Sequence, residues 1–497
     1  MIENNLPALQ VVITLVAAPI CAMLPRANIA WLFTSIATAL AFAVSIMLTI
    51  SVYGGEVISY EMGNWKAPFG IVYQVDMLSA LMLVLISGMG FIVALYGYSS
   101  VKAEIEKEKR PLFYSTYLLC LSGLLGIVIT NDAFNVYVFL EISSLATYAL
   151  IAMGKDRRAL LSSFEYLILG TIGATFILIG IGLIYSMLGT LNINDMASKI
   201  SLAEDSLPIK AALVFFVIGV ALKIAMFPLH LWLVNSYTNA PSMASSFLSA
   251  TATKVGIYVL IRVIYSIFGA EYVFAAFPLG KILVTFGVLA ILAGSMVAMF
   301  QDNVKRMLAY SSVAQIGYII LAIGLKSELA LAAALIHICA HAISKGALFM
   351  SVGCVSLQKE GSRFSDFKGV GKEMPMTMMV FVIAGLSLVG VPFTAGFISK
   401  WYLLQASLGV DLWLVFILLI FSSLLALIYI WRVVEYAFFM EPDKGSVVAK
   451  ESGFSLLIPM WALIVAIVFF GVYSSPITKI AMSIAQSLIG INISNQG

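Results

Sequence analysis

The chain has 497 residues, of which 62% are hydrophobic and only 11% are charged. Soluble domains carry roughly 25% charged residues, so the composition excludes a soluble enzyme, a nucleic-acid binder, a coiled coil and a disordered scaffold. The formal net charge of +3 carries no information about polyanionic partners, because the informative quantity is where the charges lie. The composition therefore predicts a polytopic membrane protein, and the length of its apolar runs makes the predicted fold class all-α.

Apolar runs of about 20 residues, the length of a membrane-spanning helix, recur about 14 times along the chain. Their length favours helices over the ~10-residue alternating strands of a membrane barrel. They begin near residues 7, 27, 76, 111, 132, 162, 209, 243, 279, 304, 328, 376, 412 and 454. No basic residue precedes the first run, so it is expected to be a retained helix and not a signal peptide. Residues 476–497 are expected to form an amphipathic tail at the membrane interface.

The basic residues are distributed unevenly between alternate loops. Sixteen of the 28 lie in one set and six in the other. The richer set comprises residues 26, 102–110, 155–158, 305–306, 359–372 and 444–450. Because cytoplasmic loops are enriched in Lys and Arg, these loops are predicted to be cytoplasmic, which places both termini outside.

Five charged residues fall near the middle of apolar runs: Glu141, Lys223, Lys254, Lys345 and Lys400. Each charge at a helix centre costs about 2.5–3.5 kcal/mol, so these groups must be paired, hydrated or partly neutral. A carboxylate and a lysine stabilise each other's charged form, and moving one changes the protonation of the other. Packing ion pairs are the alternative, but the excess of lysines over acids favours ion translocation.

Histidines add a second pattern. His337, His341 and Lys345 follow one another at intervals of four residues, so they share one helix face and suit a proton relay. A packing role is the alternative. A haem is disfavoured because only His230 remains as a facing ligand, and His230 itself is equally typical of a structural and a functional histidine. The four cysteines lie far apart without a C-x-x-C motif, which predicts no disulfide framework and no zinc or iron–sulfur site.

Two prolines interrupt apolar runs near their middles. Pro228 follows Lys223 by five residues, and Pro392 precedes Lys400 by eight. Each proline removes a backbone donor and breaks the helix. A broken helix with a charge in each half of the chain is typical of transporters built from inverted repeats, although a kink proline is also common in plain packing.

Four segments carry a family resemblance: residues 240–258 (APSMASSFLSATATKVGIY), 301–318 (QDNVKRMLAYSSVAQIGY), 341–349 (HAISKGALF) and 396–401 (GFISKW). Over about residues 70–440 the chain resembles the proton-conducting antiporter subunits shared by Mrp-type sodium/proton antiporters and the membrane arm of respiratory complex I and related hydrogenases. Lysine at position 400 resembles the D-type branch of the Mrp antiporter subunits. Glu165 departs from the pattern, because many members carry a basic residue there.

The resemblance implies one membrane domain with two inverted five-helix repeats, at 111–268 and 279–440. N-terminal helices at 7–110 precede them, and a last helix at 454–473 follows. The matching motif positions are Glu141 in the fifth helix, Lys223 in the broken seventh, Lys254 in the eighth, His337, His341 and Lys345 in the eleventh, and Lys400 in the broken twelfth.

We therefore expect a proton-translocating subunit of a multi-subunit sodium/proton antiporter in a bacterial inner membrane. Its expected partners are other membrane subunits, protons, Na⁺ and the lipid bilayer, with no nucleic acid, cofactor or metal. One alternative is a proton-pumping subunit of a redox-driven complex, in which NADH dehydrogenase chemistry would belong to partner subunits. A structural scaffold is the other.

Overall fold

The structure, a computed structural model, describes residues 5–201, 203, 206–443, 445 and 447–490. The helices of the first half are α1 (Leu6–Ala22), α2 (Ala27–Val52), α3 (Met77–Glu104), α4 (Arg110–Ile129), α5 (Ala133–Ala152), α6 (Arg157–Leu188), α7 (Ile193–Ile200), α8 (Leu207–Lys223), α9 (Leu231–Asn239), α10 (Ser242–Ala250), α11 (Ala252–Ile261) and α12 (Ala270–Ala276). Those of the second half are α13 (Leu279–Met299), α14 (Val304–Gly324), α15 (Glu328–Lys359), α16 (Val370–Glu373), α17 (Pro375–Val389), α18 (Ala395–Gly409), α19 (Trp413–Phe438), α20 (Phe454–Val472) and α21 (Ser475–Gly490).

Eleven helical runs of the described chain are long and apolar enough to cross a membrane. One of them, Ser242–Ile267, joins α10, α11 and a π-helical turn at Arg262–Ile267; we call it span 8. The shorter helix α1 and two interrupted helices, α8 with α9 and α17 with α18, bring the count to 14. The prediction of an all-α polytopic membrane protein with broken helices is confirmed.

Aspartate caps explain where two of the spans begin. Asp76 accepts a hydrogen bond from the Ser79 amide at 2.8 Å, and Asp132 accepts one from the Asn135 amide at 2.7 Å. An N-cap carboxylate satisfies a backbone donor that the first turn leaves free. These two aspartates are therefore the residues from which α3 and α5 start.

A short hairpin connects α2 to α3. Its strands β1 (Ile58–Glu61) and β2 (Val72–Val75) run antiparallel, with Ile58 opposite Val75. The strands are too short to have been visible in the hydropathy pattern, and they lie at the end of the bundle where α3 and α5 begin.

Burial separates the spans into an inner and an outer group. The 18-residue cores of α14 and α15 are 100% buried by protein, whereas those of α6, α13, α19 and α20 are only 39% buried. The outer helices therefore expose apolar side chains at the surface of the chain. The polar residues of α15 lie in the protein interior.

Glycine allows two of these helices to touch along their backbones. A Cβ atom on Gly317 of α14 would lie 2.8 Å from the Gly287 carbonyl oxygen of α13, and one on Gly287 would lie 2.7 Å from Leu321. Both distances are too short for a side chain. Close approach through small residues is the usual way in which membrane helices associate.

The expected amphipathic tail contains a helix, α21. Its buried face comprises Ile477, Ala481, Ile484, Ala485 and Leu488, and it packs against α15 and α3. Residues 491–497 of the expected tail, and Lys444 of the expected cytoplasmic loops, lie outside the described residues.

Candidate functional site

Glu141 and Lys223, expected to interact, form an ion pair. The Lys223 Nζ lies 3.2 Å from Glu141 Oε1 and donates a 2.8 Å hydrogen bond to Ser144 Oγ. The Lys223 side chain is 5% exposed and that of Glu141 is 22% exposed. The pair joins α5 to α8 deep in the bundle, and each group supplies the counter-charge that makes burial of the other tolerable.

Lys223 lies at a break in its span. It is the last residue of α8, and the chain resumes as α9 only at Leu231, with Pro228 between them. The Leu222 carbonyl near the end of α8 accepts a 3.0 Å hydrogen bond from Trp232 Nε1 of α9 and one of 3.3 Å from the Ala225 amide. These bonds hold the two halves of the broken span together, while the Lys223 ammonium group itself is bonded to Glu141 and Ser144.

Lys254 lies just after a second break, in span 8. Thr251 separates α10 from α11 with φ −123° and ψ −54°. The Lys254 Nζ donates to the carbonyl oxygen of Ser249, near the end of α10, and lies 3.4 Å from Thr253 Oγ1. Lys254 is fully buried.

Lys345 is anchored by the neighbouring helix. Its Nζ donates a 2.6 Å hydrogen bond to the Leu308 carbonyl oxygen and another to Ser311 Oγ, both in α14. Like Lys254, it is fully buried. In the described part of the chain, neither ammonium group has a carboxylate within 4.0 Å.

The two histidines of α15 lie one turn apart with ring centroids separated by 6.1 Å. His337 Nδ1 lies 2.8 Å from Ser399 Oγ of α18, whereas its Nε2 has no partner among the described residues. Both ring nitrogens of His341 are likewise buried without a partner there. Buried polar atoms of this kind are the usual sites of ordered water, so this face of α15 suits a water-assisted relay.

Lys400 lies beside the third break, between α17 and α18, which contains Pro392. Its Nζ donates to the Val389 carbonyl oxygen at 3.1 Å and to Ser423 Oγ at 3.2 Å. It also lies 4.5 Å from the centre of the Tyr318 ring. The same ring is 5.5 Å from the ring of His337, so Tyr318 of α14 connects the histidine face to Lys400.

His230 is placed differently from the other two histidines. It precedes α9, stacks on Phe227 at 5.3 Å and meets the Tyr310 ring edge-on at 6.1 Å. These contacts lie at the α8–α9 break and not on the α15 face. The structure does not bring His230 into the row of His337, His341 and Lys345.

A cavity of about 1020 Å³ opens at the end of the bundle that carries the lysine-rich loops. On its lining, both Glu104 oxygens accept hydrogen bonds from Ser242, through its amide and its hydroxyl, each at 2.8 Å. The Lys305 Nζ lies 3.2 Å from the same hydroxyl. Ser242 is the first residue of α10, so the cavity reaches the start of span 8.

Hydropathy reasoning missed several of these groups. Glu104 and Lys305 sit at the ends of apolar runs and looked like ordinary loop charges, and Tyr318 looked like an apolar core residue. A signal was present for Tyr318, which belongs to the family-like segment 301–318.

In the described part of the chain, no group of three or more His, Cys, Asp or Glu residues could hold a metal ion.

Comparison with known proteins agrees with this architecture. Residues 130–426 match the family described as "NADH:quinone oxidoreductase/Mrp antiporter, TM". The NADH-quinone oxidoreductase subunit N of Desulforudis audaxviator is 40% identical over 95% of this chain and 97% of its own length. The D-type subunit of the Na⁺/H⁺ antiporter of Alkalihalophilus pseudofirmus is 31% identical over 90% of this chain and 89% of its own length.

Solved structures show the same fold. A chain of the membrane-bound sulfane sulfur reductase, an archaeal respiratory membrane complex, superposes with a TM-score of 0.88 and 30% identity, covering 98% of both chains. A chain of the Mrp complex from Dietzia sp. DQ12-45-1b superposes with a TM-score of 0.89 and 23% identity, again over 98% of both. The chain belongs to the NADH:quinone oxidoreductase/Mrp antiporter transmembrane family.

Proposed function

We propose that the chain is the proton-translocating subunit of a multi-subunit monovalent cation/proton antiporter. The observation that carries the proposal is the buried Glu141–Lys223 pair at a helix break, followed by further buried lysines with no carboxylate nearby among the described residues. An ammonium group held by carbonyls and hydroxyls can lose its proton without leaving a buried carboxylate unpaired. The name of the Alkalihalophilus relative supports antiport.

The proposed path crosses both halves of the chain. Protons reach the Glu141–Lys223 pair, pass to Lys254 and then to Lys345 and the two histidines of α15. They leave by way of Lys400. Displacement of Glu141 from Lys223 changes the affinity of Lys223 for its proton, and this displacement drives the first transfer.

The orientation and the internal repeat belong to the same proposal. The lysine-rich loops face the cytoplasm and both termini lie outside, in the inner membrane of a bacterium. The segments 111–268 and 279–440 form two inverted five-helix repeats. Two similarities support the repeat: α4 packs on α5 as α13 packs on α14, and α6 packs on the broken span α8–α9 as α15 packs on the broken span α17–α18.

Replacement of the paired residues tests the proposal. In a host lacking its own antiporters, the complex carrying Lys223→Ala or Glu141→Ala is expected to lose cation-driven proton transport in inverted membrane vesicles. Normal assembly of the complex must be verified for each variant. Wild-type transport in an assembled Lys223→Ala complex would refute the proposal.

A redox-driven proton pump is the second candidate, and the 40% identity to an NADH-quinone oxidoreductase subunit N favours it. The described residues of this chain present no metal-holding cluster, so NADH dehydrogenase activity would reside in partner subunits. Purification of the intact complex separates the two candidates. Flavin and iron–sulfur subunits in the particle would support the pump, whereas further small membrane subunits and Na⁺-dependent transport would support the antiporter.

A further inference from the structure

A second cavity lies at the opposite end of the bundle from the lysine-rich loops. Its volume is about 330 Å³, and its polar lining includes Gln74, Asp76, Asn194, Arg262 and Ser266. The cavity is formed by the starts of α3 and α5, by α7 and by the last turns of span 8. Span 8 thus begins at one cavity and ends at the other, with Lys254 midway between them.

An ion pair lies on the lining of this second cavity. Arg262 Nη2 lies 2.6 Å from Asp76 Oδ1, with the side chains 17% and 27% exposed. The guanidinium also donates to Ser79 Oγ at 2.9 Å, to Tyr258 Oη at 2.9 Å and to Ser266 Oγ at 3.3 Å. All of these groups line the cavity, and Ser79 and Tyr258 are buried on it, at 1% and 4% exposure.

The hydroxyl of Tyr258 leads from the cavity towards the bundle centre. It lies 3.2 Å from Ser79 Oγ and donates a 2.8 Å hydrogen bond to the Val128 carbonyl oxygen. Tyr258 is 4% exposed and fills the interior side of the cavity. Lys254, Tyr258 and Arg262 are spaced by four residues, so they line one face of span 8.

Asp76 is a fixed negative charge beside the face of span 8 that carries Lys254, Tyr258 and Arg262. Burial works to raise the pKa of its carboxyl, but the Arg262 guanidinium and the hydrogen bonds from Ser79 outweigh burial and lower the pKa below its usual value. The carboxylate is therefore an anion at neutral pH. It holds Arg262 in place, and the neighbouring hydroxyls are the groups left to pass a proton.

We propose that this cavity is an outer proton port that opens onto Lys254 through the hydroxyls of Ser79 and Tyr258. The inference rests on the proposed function and extends it, because it gives the first half of the chain its own access to the outer face. Each hydroxyl accepts one proton and releases the one it carried. In the structure the Lys254 ammonium is bonded to the Ser249 carbonyl oxygen, on the side of Lys254 away from Tyr258. The two residues lie one helical turn apart, about 6 Å along the axis, so the transfer requires the lysine side chain to turn towards Tyr258 and a water molecule to bridge the two groups.

A pair of tyrosine variants tests the port. Tyr258→Phe keeps the ring and removes the hydroxyl that the path requires. Tyr265→Phe is the matched control, because Tyr265 lines the same cavity and its hydroxyl has no partner in the described part of the chain. We expect Tyr258→Phe to slow proton transport of the assembled complex roughly tenfold or more, and Tyr265→Phe to leave it unchanged.

Lys223→Ala, measured in parallel, separates the two proposals. If Lys223→Ala abolishes transport and Tyr258→Phe does not slow it, the port is wrong and the proposed function stands. If Lys223→Ala transports at the wild-type rate, the proposed function fails, and the port fails with it.

Cysteine labelling gives a test that does not depend on removing a buried group. Asn194 lines the cavity, and Ser198 lies one turn further along α7, exposed and outside the lining. The four native cysteines are buried, so they leave a low background. A membrane-impermeant thiol reagent applied from the outer face is expected to slow transport by Asn194→Cys and not by Ser198→Cys. Unchanged transport by the fully labelled Asn194→Cys complex would overturn the port.

Discussion

Lys400 donates a 3.1 Å hydrogen bond to the carbonyl oxygen of Val389, and Val389 is the last residue of α17. The ammonium group of one half-helix thus neutralises the end of the other. Lys254 does the same in span 8, where it reaches back to the Ser249 carbonyl near the end of α10. The C-terminus of a helix carries about half a negative charge. Two broken spans therefore offer a lysine the same partial negative charge, whereas Lys223, the last residue of α8, is bonded to Glu141 and Ser144 instead.

Lys400 is the most direct test of this arrangement. Lys400→Gln keeps a donor for the Val389 carbonyl but removes the charge and the titrating proton, so transport is expected to fall roughly tenfold or more. Lys479→Gln is the matched control, because Lys479 is exposed on α21. Cation-driven proton transport in vesicles measures both. Equal rates for the two variants would show that Lys400 serves only packing.

Glu141 is expected to act through Lys223. Glu141→Gln preserves the shape of the side chain and an oxygen that can accept a hydrogen bond from Lys223, but it removes the negative charge beside the ammonium group. Without the anion the lysine loses its proton more readily. Movement of residue 141 then no longer changes the proton affinity of Lys223, and transport is expected to fall roughly tenfold or more.

Ser144→Ala isolates the other contact of Lys223, and it is expected to have a smaller effect because the ion pair remains. Asp195→Asn is the surface control: it breaks the partly exposed Lys199–Asp195 pair, and such pairs contribute about 1 kcal/mol or less. A rate for Glu141→Gln as high as that for Asp195→Asn would contradict the assigned role.

The Glu141–Lys223 pair was within reach of sequence reasoning, because both charges sit in the middle of apolar runs where an unpaired charge is costly. The Asp76–Arg262 pair was not. Asp76 lies just before an apolar run and Arg262 near the end of another, so each looked like a boundary charge. Their contact spans 186 positions of the chain, and no local pattern encodes which helix ends meet.

The three helix breaks also differ in whether the sequence predicts them. Pro228 and Pro392 marked two of them, since proline cannot continue the backbone hydrogen bonding. The break at Thr251 has neither proline nor glycine beside it, and hydropathy reads that stretch as continuous. α6 begins at Arg157 and not at the expected Ser162, because the Asp156 side chain accepts a 2.9 Å hydrogen bond from the Arg158 amide and caps the helix there.

A buried ion pair outside the membrane should affect stability without affecting transport. Lys359, at the end of α15, lies 2.8 Å from Glu373, with the side chains 6% and 13% exposed. Glu373 also accepts a 2.9 Å hydrogen bond from the Ala449 amide. Lys359 also donates to the Val447 carbonyl oxygen, so removing the carboxylate leaves its charge with a neutral acceptor, and the loss is expected to cost less than the about 3–5 kcal/mol of a fully uncompensated buried charge but more than a surface pair. Glu373→Gln is therefore expected to lower the melting temperature of the complex.

Asp443→Asn provides the control for Glu373→Gln. Its pair with Lys368 has the same 2.8 Å separation, but Asp443 is 63% exposed, so its loss is expected to cost about 1 kcal/mol or less. Thermal unfolding in detergent compares the two variants, and transport per assembled complex is expected to stay at the wild-type rate in both. Equal melting temperatures would show that the Lys359–Glu373 pair contributes no more than a surface pair.

Replacement of His341 is expected to affect stability and transport differently. Both of its ring nitrogens are buried without a protein partner among the described residues, so water is left to satisfy them and they add little to the packing of α15. His341→Phe keeps an aromatic ring and removes both nitrogens, so the complex is expected to melt at the same temperature or higher while transport is lost. Transport assays and thermal unfolding on the same preparations measure the two effects.

Cys339→Ser is the control for His341→Phe, because it changes polarity on the same buried helix away from the row of His337, His341 and Lys345. Two results would contradict a relay role for His341. A lower melting temperature with transport lost in proportion would indicate that the ring nitrogens hold the helix packing together. An unchanged transport rate would indicate that protons bypass His341 altogether.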